Sequence, residues 1–212
     1  MTGNFRDPMV GRDLLIGGLL GLVHAACISL GALLPRVFGL ESTPTIIGNF
    51  GGLGNVRNML AVFLNSQLVM SVFVGFGFLL FLLLLYIILR RQWLATAAMF
   101  LIVLAIELAA FAAAGPRLYW ITSILIALTL TTVVARFGLL ATMAAQLFFF
   151  LGTMYPLTTD FSAWYAPSMI FALVLAVGIA VYGFYISLGG QSLFGDRVWE
   201  RDKPAYENSH QM

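Results

Sequence analysis

The residue with the clearest potential for chemistry in this sequence is Glu107, a carboxylic acid within the apolar run Ala105-Ile106-Glu107-Leu108-Ala109. A carboxylate in hydrocarbon is costly and typically marks a functional position, so Glu107 is the candidate proton or ion site. The alternative is a neutral Glu107 that hydrogen-bonds across a helix interface, or one whose carboxyl group reaches the membrane surface. The sequence leaves these interpretations open.

The second candidate is His24, which borders a stripe of small residues that would let helices approach closely. The stripe consists of Gly17, Gly21, Ala25 and Ser29. We therefore expect His24 to face protein or a bound cofactor, with packing or hydrogen bonding as the simplest role. A single intramembrane His can ligate a chlorophyll-type pigment, whereas bis-His haem needs a second one that His210 in the polar tail cannot supply. A proton relay between His24 and Glu107 would require their helices to touch.

Established catalytic and metal-binding motifs are missing from the sequence. Gly51, Gly52 and Gly54 neither follow a strand nor lead into a Lys-Ser/Thr pair, which argues against a phosphate-binding loop. There is no Gly-x-Ser-x-Gly, His-Glu-x-x-His or Cys-x-x-Cys-His pattern. The lone Cys27 excludes an internal disulfide and a cysteine-based metal cluster. We expect neither enzymatic activity nor a metal site.

The composition indicates a membrane protein. Of the 212 residues, 61% are hydrophobic and only 9% are charged, whereas soluble domains carry about 25% charged residues. A single domain of this size cannot bury so much apolar surface within itself, so the excess must face lipid. The net charge of +2 is small and the basic residues are scattered, which argues against nucleic-acid binding.

The apolar runs predict an all-α, polytopic membrane domain over residues 1–190 and a polar cytoplasmic tail over residues 191–212. About 20 apolar residues cross a bilayer as a helix. On this basis six spans are predicted, at about 14–34, 72–89, 94–114, 118–135, 137–155 and 167–188. Residues 58–71 are predicted to form an interfacial or cavity-lining helix. The first run is long enough to be a retained helix rather than a cleaved signal.

The separation of the fourth and fifth spans rests only on Arg136-Phe137-Gly138. One unbroken helix would place Arg136 near the bilayer centre, at a cost of about 3 kcal/mol or more. A tight surface turn avoids that cost, and we prefer two spans to one bent helix.

The distribution of basic residues predicts that both chain ends lie in the cytoplasm, the side that carries the excess of Lys and Arg. The predicted cytoplasmic set is Arg6, Arg12, Arg90, Arg91, Arg136, Arg197, Arg201 and Lys203. The predicted outer set is Arg36, Arg57 and Arg117.

Four stretches resemble a known family: Asp7–Leu15, Arg136–Leu140, Pro156–Tyr165 and Tyr182–Phe194. They look like the multi-helix membrane module at the C-terminus of many acidobacterial serine/threonine protein kinases, and the resemblance extends from about Asp7 to Asp196. It implies a membrane module beside a cytoplasmic kinase domain. The kinase motifs are absent from this sequence, so the resemblance does not bring kinase activity with it.

Three functions remain open at this stage. The first is a non-enzymatic accessory or scaffold subunit of a larger assembly in the bacterial inner membrane, such as a photosynthetic or respiratory complex. It would pack against other membrane subunits, membrane lipids, a carotenoid or a chlorophyll-type pigment. The second is a sensor or anchor whose tail contacts a cytoplasmic signalling partner. The third is a small oligomeric transporter that uses Glu107.

Overall fold

The computed structural model describes residues 7–37, 39, 55–112, 119–156 and 158–189. Within these ranges the chain is helical and forms no strand, which confirms the predicted all-α class. The elements are α1 (Pro8–Val37), α2 (Val56–Val62), a π-helical segment (Phe63–Leu68), α3 (Val69–Leu89), α4 (Gln92–Ala112), α5 (Tyr119–Met154) and α6 (Ala166–Ser187).

Five helical stretches are long and apolar enough to cross a membrane. They are Pro8–Gly31, Val56–Leu89, Gln92–Ala109, Trp120–Met154 and Ala166–Ser187. A multi-pass membrane protein is therefore supported by the length and composition of these helices. The second stretch continues from α2 through the π-helical segment into α3, so helix begins well before the predicted span at residues 72–89. The fourth combines two of the predicted spans.

α5 is the central element, because it packs against α1, α3, α4 and α6, and most extensively against α1. Small residues set the spacing between α1 and α5. A Cβ atom placed on Gly17 would lie 2.3 Å from the carbonyl oxygen of Ala141, and one on Gly21 would lie 2.2 Å from that of Ala145. Both distances are shorter than any real Cβ contact, so these two helices meet backbone to backbone.

α5 is broken at Gly138, whose backbone has φ 78° and ψ −159° within an otherwise helical stretch. Val133, before the break, shares a buried cluster with Ala141 and Ala145 after it. In a straight helix, residues 133 and 145 would be about 18 Å apart. The chain therefore bends sharply at Gly138, and residues 119–137 and 139–154 act as two separate packing units.

The two halves of α5 run in opposite directions relative to α3. Gly75 of α3 lies against Met143, and Gln67 just before α3 bonds to Tyr155, so α3 and the second half are antiparallel. The first half packs instead with α3 and α4 through a cluster that includes Met99, Val103, Ala127, Leu130 and Val134.

α4 is antiparallel to this first half, because Thr96 lies near Ala135 whereas Val103 clusters with Ala127. It is also antiparallel to α3, since Gln92 at its start lies near Tyr86. The first half of α5 is therefore parallel to α3.

The start of α1, the end of α6, the Gly138 break and the turn from α3 to α4 lie at one end of the bundle. Pro8 at the start of α1 lies against Gly189 after α6, and the contact of Gly17 with Ala141 puts the start of α1 beside the Gly138 break. The turn from α3 to α4 reaches the same end, because the start of α4 lies near Ala135. The opposite end holds α2, the π-helical segment and the connection from α5 to α6.

Candidate functional site

A buried polar pair joins the π-helical segment to the end of α5. The hydroxyl of Tyr155 donates a hydrogen bond of 3.1 Å to Oε1 of Gln67, and the two residues are 4% and 3% exposed. Around the pair lies an apolar cluster formed by Met59, Phe63, Leu151 and Ala172. A buried amide and phenol that satisfy each other fix the register of two helices that are far apart in sequence.

The π-helical segment itself places Gln67 in this position. A π turn adds a residue to the helix and leaves part of the normal hydrogen-bond ladder unmade, which is why such turns often occur at functional sites. Here the hydroxyl of Ser71 donates to the carbonyl oxygen of Gln67 at 2.6 Å. Next to it is a cavity of about 150 Å³ lined by Ser66, Gln67 and Met154 among others. That volume is enough for a few water molecules.

His24 is buried between α1 and α5, at 8% exposed. Its ring stacks on Phe149, with centroids 4.3 Å apart and an interplanar angle of 21°. A pigment-sized macrocycle would reach the His24 nitrogens only if the two helices separated. The geometry therefore fits a packing role better than ligation of a chlorophyll.

The predicted stripe of small residues lies along the helix contacts of α1. Gly17 and Gly21 meet α5 as described, and Ala25 lies 2.9 Å from the position that a Cβ on Gly152 would occupy. Ser29 is exposed and its hydroxyl donates to the carbonyl oxygen of Ala25 at 3.0 Å.

Glu107 lies in α4, with its side chain partly buried between the exposed neighbours Ile106 and Leu108. No hydrogen bond or ion pair joins it to another residue in the described part of the chain. α4 packs against α3 and α5, whereas α1 packs against α5 and α6. The structure therefore does not bring Glu107 and His24 together.

A groove of about 830 Å³ lies between the start of α4 and the end of the first half of α5. Its walls are Gln92, Trp93, Thr96, Ala97, Phe100, Leu128, Thr131, Thr132, Ala135 and Arg136. Among these, Thr131 is 4% exposed and its Oγ1 has no hydrogen-bond partner in the described part of the chain. We call this cavity the α4/α5 groove.

The loop between α5 and α6 is organised by Asp160. Oδ1 of its carboxylate accepts hydrogen bonds from the Ser162 hydroxyl at 2.6 Å and from the Ser162 backbone N–H at 2.9 Å. These bonds lower the pKa of Asp160 below its ordinary value, the side-chain bond more than the backbone bond. The arrangement is a local turn that leads into α6.

Sequence reasoning missed both the Gln67–Tyr155 pair and the α4/α5 groove. The polar run Asn65-Ser66-Gln67 within apolar sequence was the available signal for the first, but nothing in it identifies Tyr155 as the partner. In all, the described residues hold no group of three or more His, Cys, Asp or Glu placed to bind a metal. Comparison of the chain with protein-family models, curated proteins and solved structures finds no match.

Proposed function

We propose that this chain is a non-enzymatic accessory or scaffold subunit of a larger bacterial membrane assembly. Its partners contact the outer faces of α3 and α6. The observation that carries the proposal is a pair of outward-facing glycines, Gly77 and Gly178. A Cβ added to either one would meet nothing within 4 Å. In the bundle, by contrast, Gly17 and Gly21 are each filled by a neighbouring helix of the same chain.

Glycines in membrane helices commonly mark positions where another helix approaches closely. Gly178 lies in a shallow apolar cavity of about 300 Å³ on the outer face of α6. The walls of this cavity are Phe171, Val174, Leu175, Gly178, Ile179 and Tyr182. A partner helix with a bulky side chain opposite Gly178 would fill it.

The outer face of α3 supports the same function. Phe73, Ile87 and Ile88 are 77%, 70% and 65% exposed. Only 6% of the most apolar 18-residue stretch within Val56–Leu89 is buried inside the chain. Lipid alone could cover such an apolar face. Together with the open Gly77, it also offers a partner helix a large apolar surface.

The proposed topology has six spans in the bacterial inner membrane, with both ends of the chain in the cytoplasm. Support comes from the Gly138 break, which lets each half of α5 cross once in opposite directions. Four exposed or partly exposed basic residues, Arg12, Arg90, Arg91 and Arg136, lie at the end that carries Pro8 and Gly189. Arg57 lies at the other end, which fits an excess of positive charge on the cytoplasmic side.

The test is purification of the tagged full chain from its native membrane in mild detergent, with quantitative mass spectrometry of the proteins that accompany it. We expect one or more membrane partners in a fixed ratio. Gly178→Leu should reduce that ratio, because the new side chain occupies the cavity that a partner side chain would fill, while its Cβ atom meets nothing within this chain. Ala105→Leu, which adds the same side chain at an exposed position of α4, is the matched control.

A monomer without partners would contradict the proposal. Unchanged partner recovery with both Gly178→Leu and Gly77→Leu would show that these faces are not the contact surfaces. The absorption spectrum of the same fraction checks for a bound pigment or carotenoid.

A second candidate is a membrane anchor or sensor for a cytoplasmic signalling protein. The contact between Pro8 and Gly189 favours it, because the start of α1 and the end of α6 lie side by side. The resemblance to the kinase membrane module also supports this role. If it is correct, deleting residues 191–212 uncouples a kinase-type partner while the membrane domain still accumulates; an unaltered response in that deletion would refute it.

A further inference from the structure

We propose that the α4/α5 groove holds one anionic phospholipid, with the phosphate at Arg136, an ester carbonyl at Thr131 and acyl chains against Phe100 and Leu128. This inference is independent of the proposed accessory function, because a lipid can occupy the groove whether or not a protein partner binds elsewhere.

The groove is polar at its mouth and apolar farther in, as a phospholipid is polar at its headgroup and apolar along its chains. Its mouth, at the end where α3 turns into α4, carries Gln92, Trp93 and Arg136, whereas Ala97, Phe100 and Leu128 line it farther from that end. Trp93 is 64% exposed, as is typical of a tryptophan at the membrane–water interface. A cavity of about 830 Å³ can accommodate a headgroup and the upper part of its chains.

Thr131 provides an observation independent of charge. Its neighbours Thr129 and Thr132 donate their hydroxyl protons to the carbonyl oxygens four residues earlier, at 2.6 and 2.7 Å. Thr131 makes no such bond, although its Oγ1 is shielded from water. A buried hydroxyl without a partner is costly, so a rotation of the Thr131 side chain that brings its hydroxyl to an ester oxygen in the groove would be favourable.

The spacing of the two polar contacts also matches. Thr131 lies five residues before Arg136, which corresponds to about 7.5 Å along the helix axis. A diacyl phospholipid places its ester carbonyls at a comparable depth below the phosphate. A free phosphate ion would reach Arg136 but would leave Thr131 unsatisfied.

The charge at the mouth selects an anionic lipid. Among the described residues, Arg136 is the only ionisable side chain that lines the groove, and Arg90 and Arg91 are exposed just before α4 begins. The first N–H groups of α4 have no acceptors within their own helix and also attract negative charge. A lipid with a zwitterionic headgroup would bind less tightly at this mouth than phosphatidylglycerol, whose headgroup is anionic.

The experiment is native mass spectrometry of the full chain, delipidated in detergent and titrated with phosphatidylglycerol, with phosphatidylcholine of the same chain length, or with inorganic phosphate. We expect one phosphatidylglycerol per chain at the lowest concentration. Arg136→Gln should weaken that binding about fivefold, since an arginine near anionic lipid contributes about 1 kcal/mol. Arg57→Gln, at the opposite end of the bundle, is the matched control and should bind as the wild type does.

Thr131→Val is the second variant, with nearly the same shape and no hydroxyl. It should weaken phosphatidylglycerol and phosphatidylcholine by the same factor, because both carry ester carbonyls. Equal affinity of the wild type for the two lipids, or no effect of Arg136→Gln, would overturn the proposal. Retention of inorganic phosphate in place of lipid would identify a small-anion site instead, and a dimer that forms on delipidation would assign the groove to a second copy of the chain.

Discussion

The hydroxyl of Tyr155 donates a hydrogen bond to the side-chain oxygen of Gln67, which lies 88 residues earlier in the chain. This bond connects the residue that follows α5 to the π-helical segment that precedes α3. Both side chains are almost completely buried, so neither can exchange its partner for bulk water.

Tyr155→Phe should therefore lower the free energy of unfolding by about 1–2 kcal/mol, because it leaves the Gln67 oxygen buried without a donor. The measurement is reversible unfolding of the purified protein in mixed detergent micelles. Tyr182→Phe, at a position 50% exposed on α6, is the control and should change stability little.

A double-mutant cycle of Tyr155→Phe with Gln67→Met isolates the pairwise contribution. We expect a coupling energy of about 0.6 kcal/mol, the average for hydrogen bonds between membrane helices. Strictly additive effects would mean that the two side chains do not interact in the folded protein.

Gly21→Ala should destabilise the bundle by about 1–3 kcal/mol through overpacking. The added methyl group would lie 2.2 Å from the carbonyl oxygen of Ala145, a backbone atom that cannot rotate away. Gly77→Ala adds the same group where nothing lies within 4 Å, so it should be neutral or stabilising by up to about 1 kcal/mol. Thermal denaturation of both variants checks the difference, and equal melting temperatures would contradict the close contact of α1 with α5.

Gly138→Ala should cost about 1–3 kcal/mol for a different reason. A Cβ at this position meets no other atom, but the backbone conformation, φ 78° and ψ −159°, is one that essentially only glycine adopts. Gly178→Ala, within a regular helix, is the control. If Gly138→Ala is as stable as the wild type, α5 does not need the break at this residue.

The hydrogen bonds in the turn at Asp160 should stabilise the folded protein, and this contribution should be lost in acid. Because hydrogen bonds from Ser162 lower the pKa of this carboxyl in the folded protein, the contribution is complete above the ordinary value of 3.8 and is lost as the pH falls through the lowered value. Ser162→Ala should return the pKa of Asp160 towards its ordinary value. NMR titration of the Asp160 side-chain carboxyl carbon measures this, and identical titration curves in wild type and variant would contradict the turn.

Glu107→Gln should leave both stability and membrane permeability nearly unchanged if the accessory function is correct. The side chain makes no hydrogen bond or ion pair within the described structure, so its neutral amide replacement should alter stability by less than about 0.5 kcal/mol. Ion and proton flux in proteoliposomes is the second readout. A wild-type flux that Glu107→Gln abolishes would favour a transporter.

The helical class and the tight approach at Gly17 and Gly21 could be predicted, because both depend on local composition and periodicity. The Arg136-Phe137-Gly138 interruption also indicated the position of the break in α5. The six spans and the cytoplasmic position of both chain ends remain predictions, since length and composition alone give five candidate helices.

The Gln67–Tyr155 pair and the α4/α5 groove could not be predicted, because each depends on how distant helices are aligned. One polar residue in an apolar run can face lipid, a cavity or a partner, and sequence spacing within a single helix does not decide among them. Thr131 illustrates the limit: its neighbours Thr129 and Thr132 have the same side chain, yet their hydroxyls bond to their own helix.

The packing of α1 against α5 and α6 also imposes an order on biogenesis. The glycine face of α1, which includes Gly17 and Gly21, is synthesised before the surfaces that fill it on the second half of α5 and on α6. Until those surfaces are synthesised, the small-residue face of α1 must be covered by lipid or by an insertion factor. Chains that stop before the second half of α5 would expose Gly17 and Gly21 permanently, and quality-control proteases in the membrane would have a simple feature by which to recognise them.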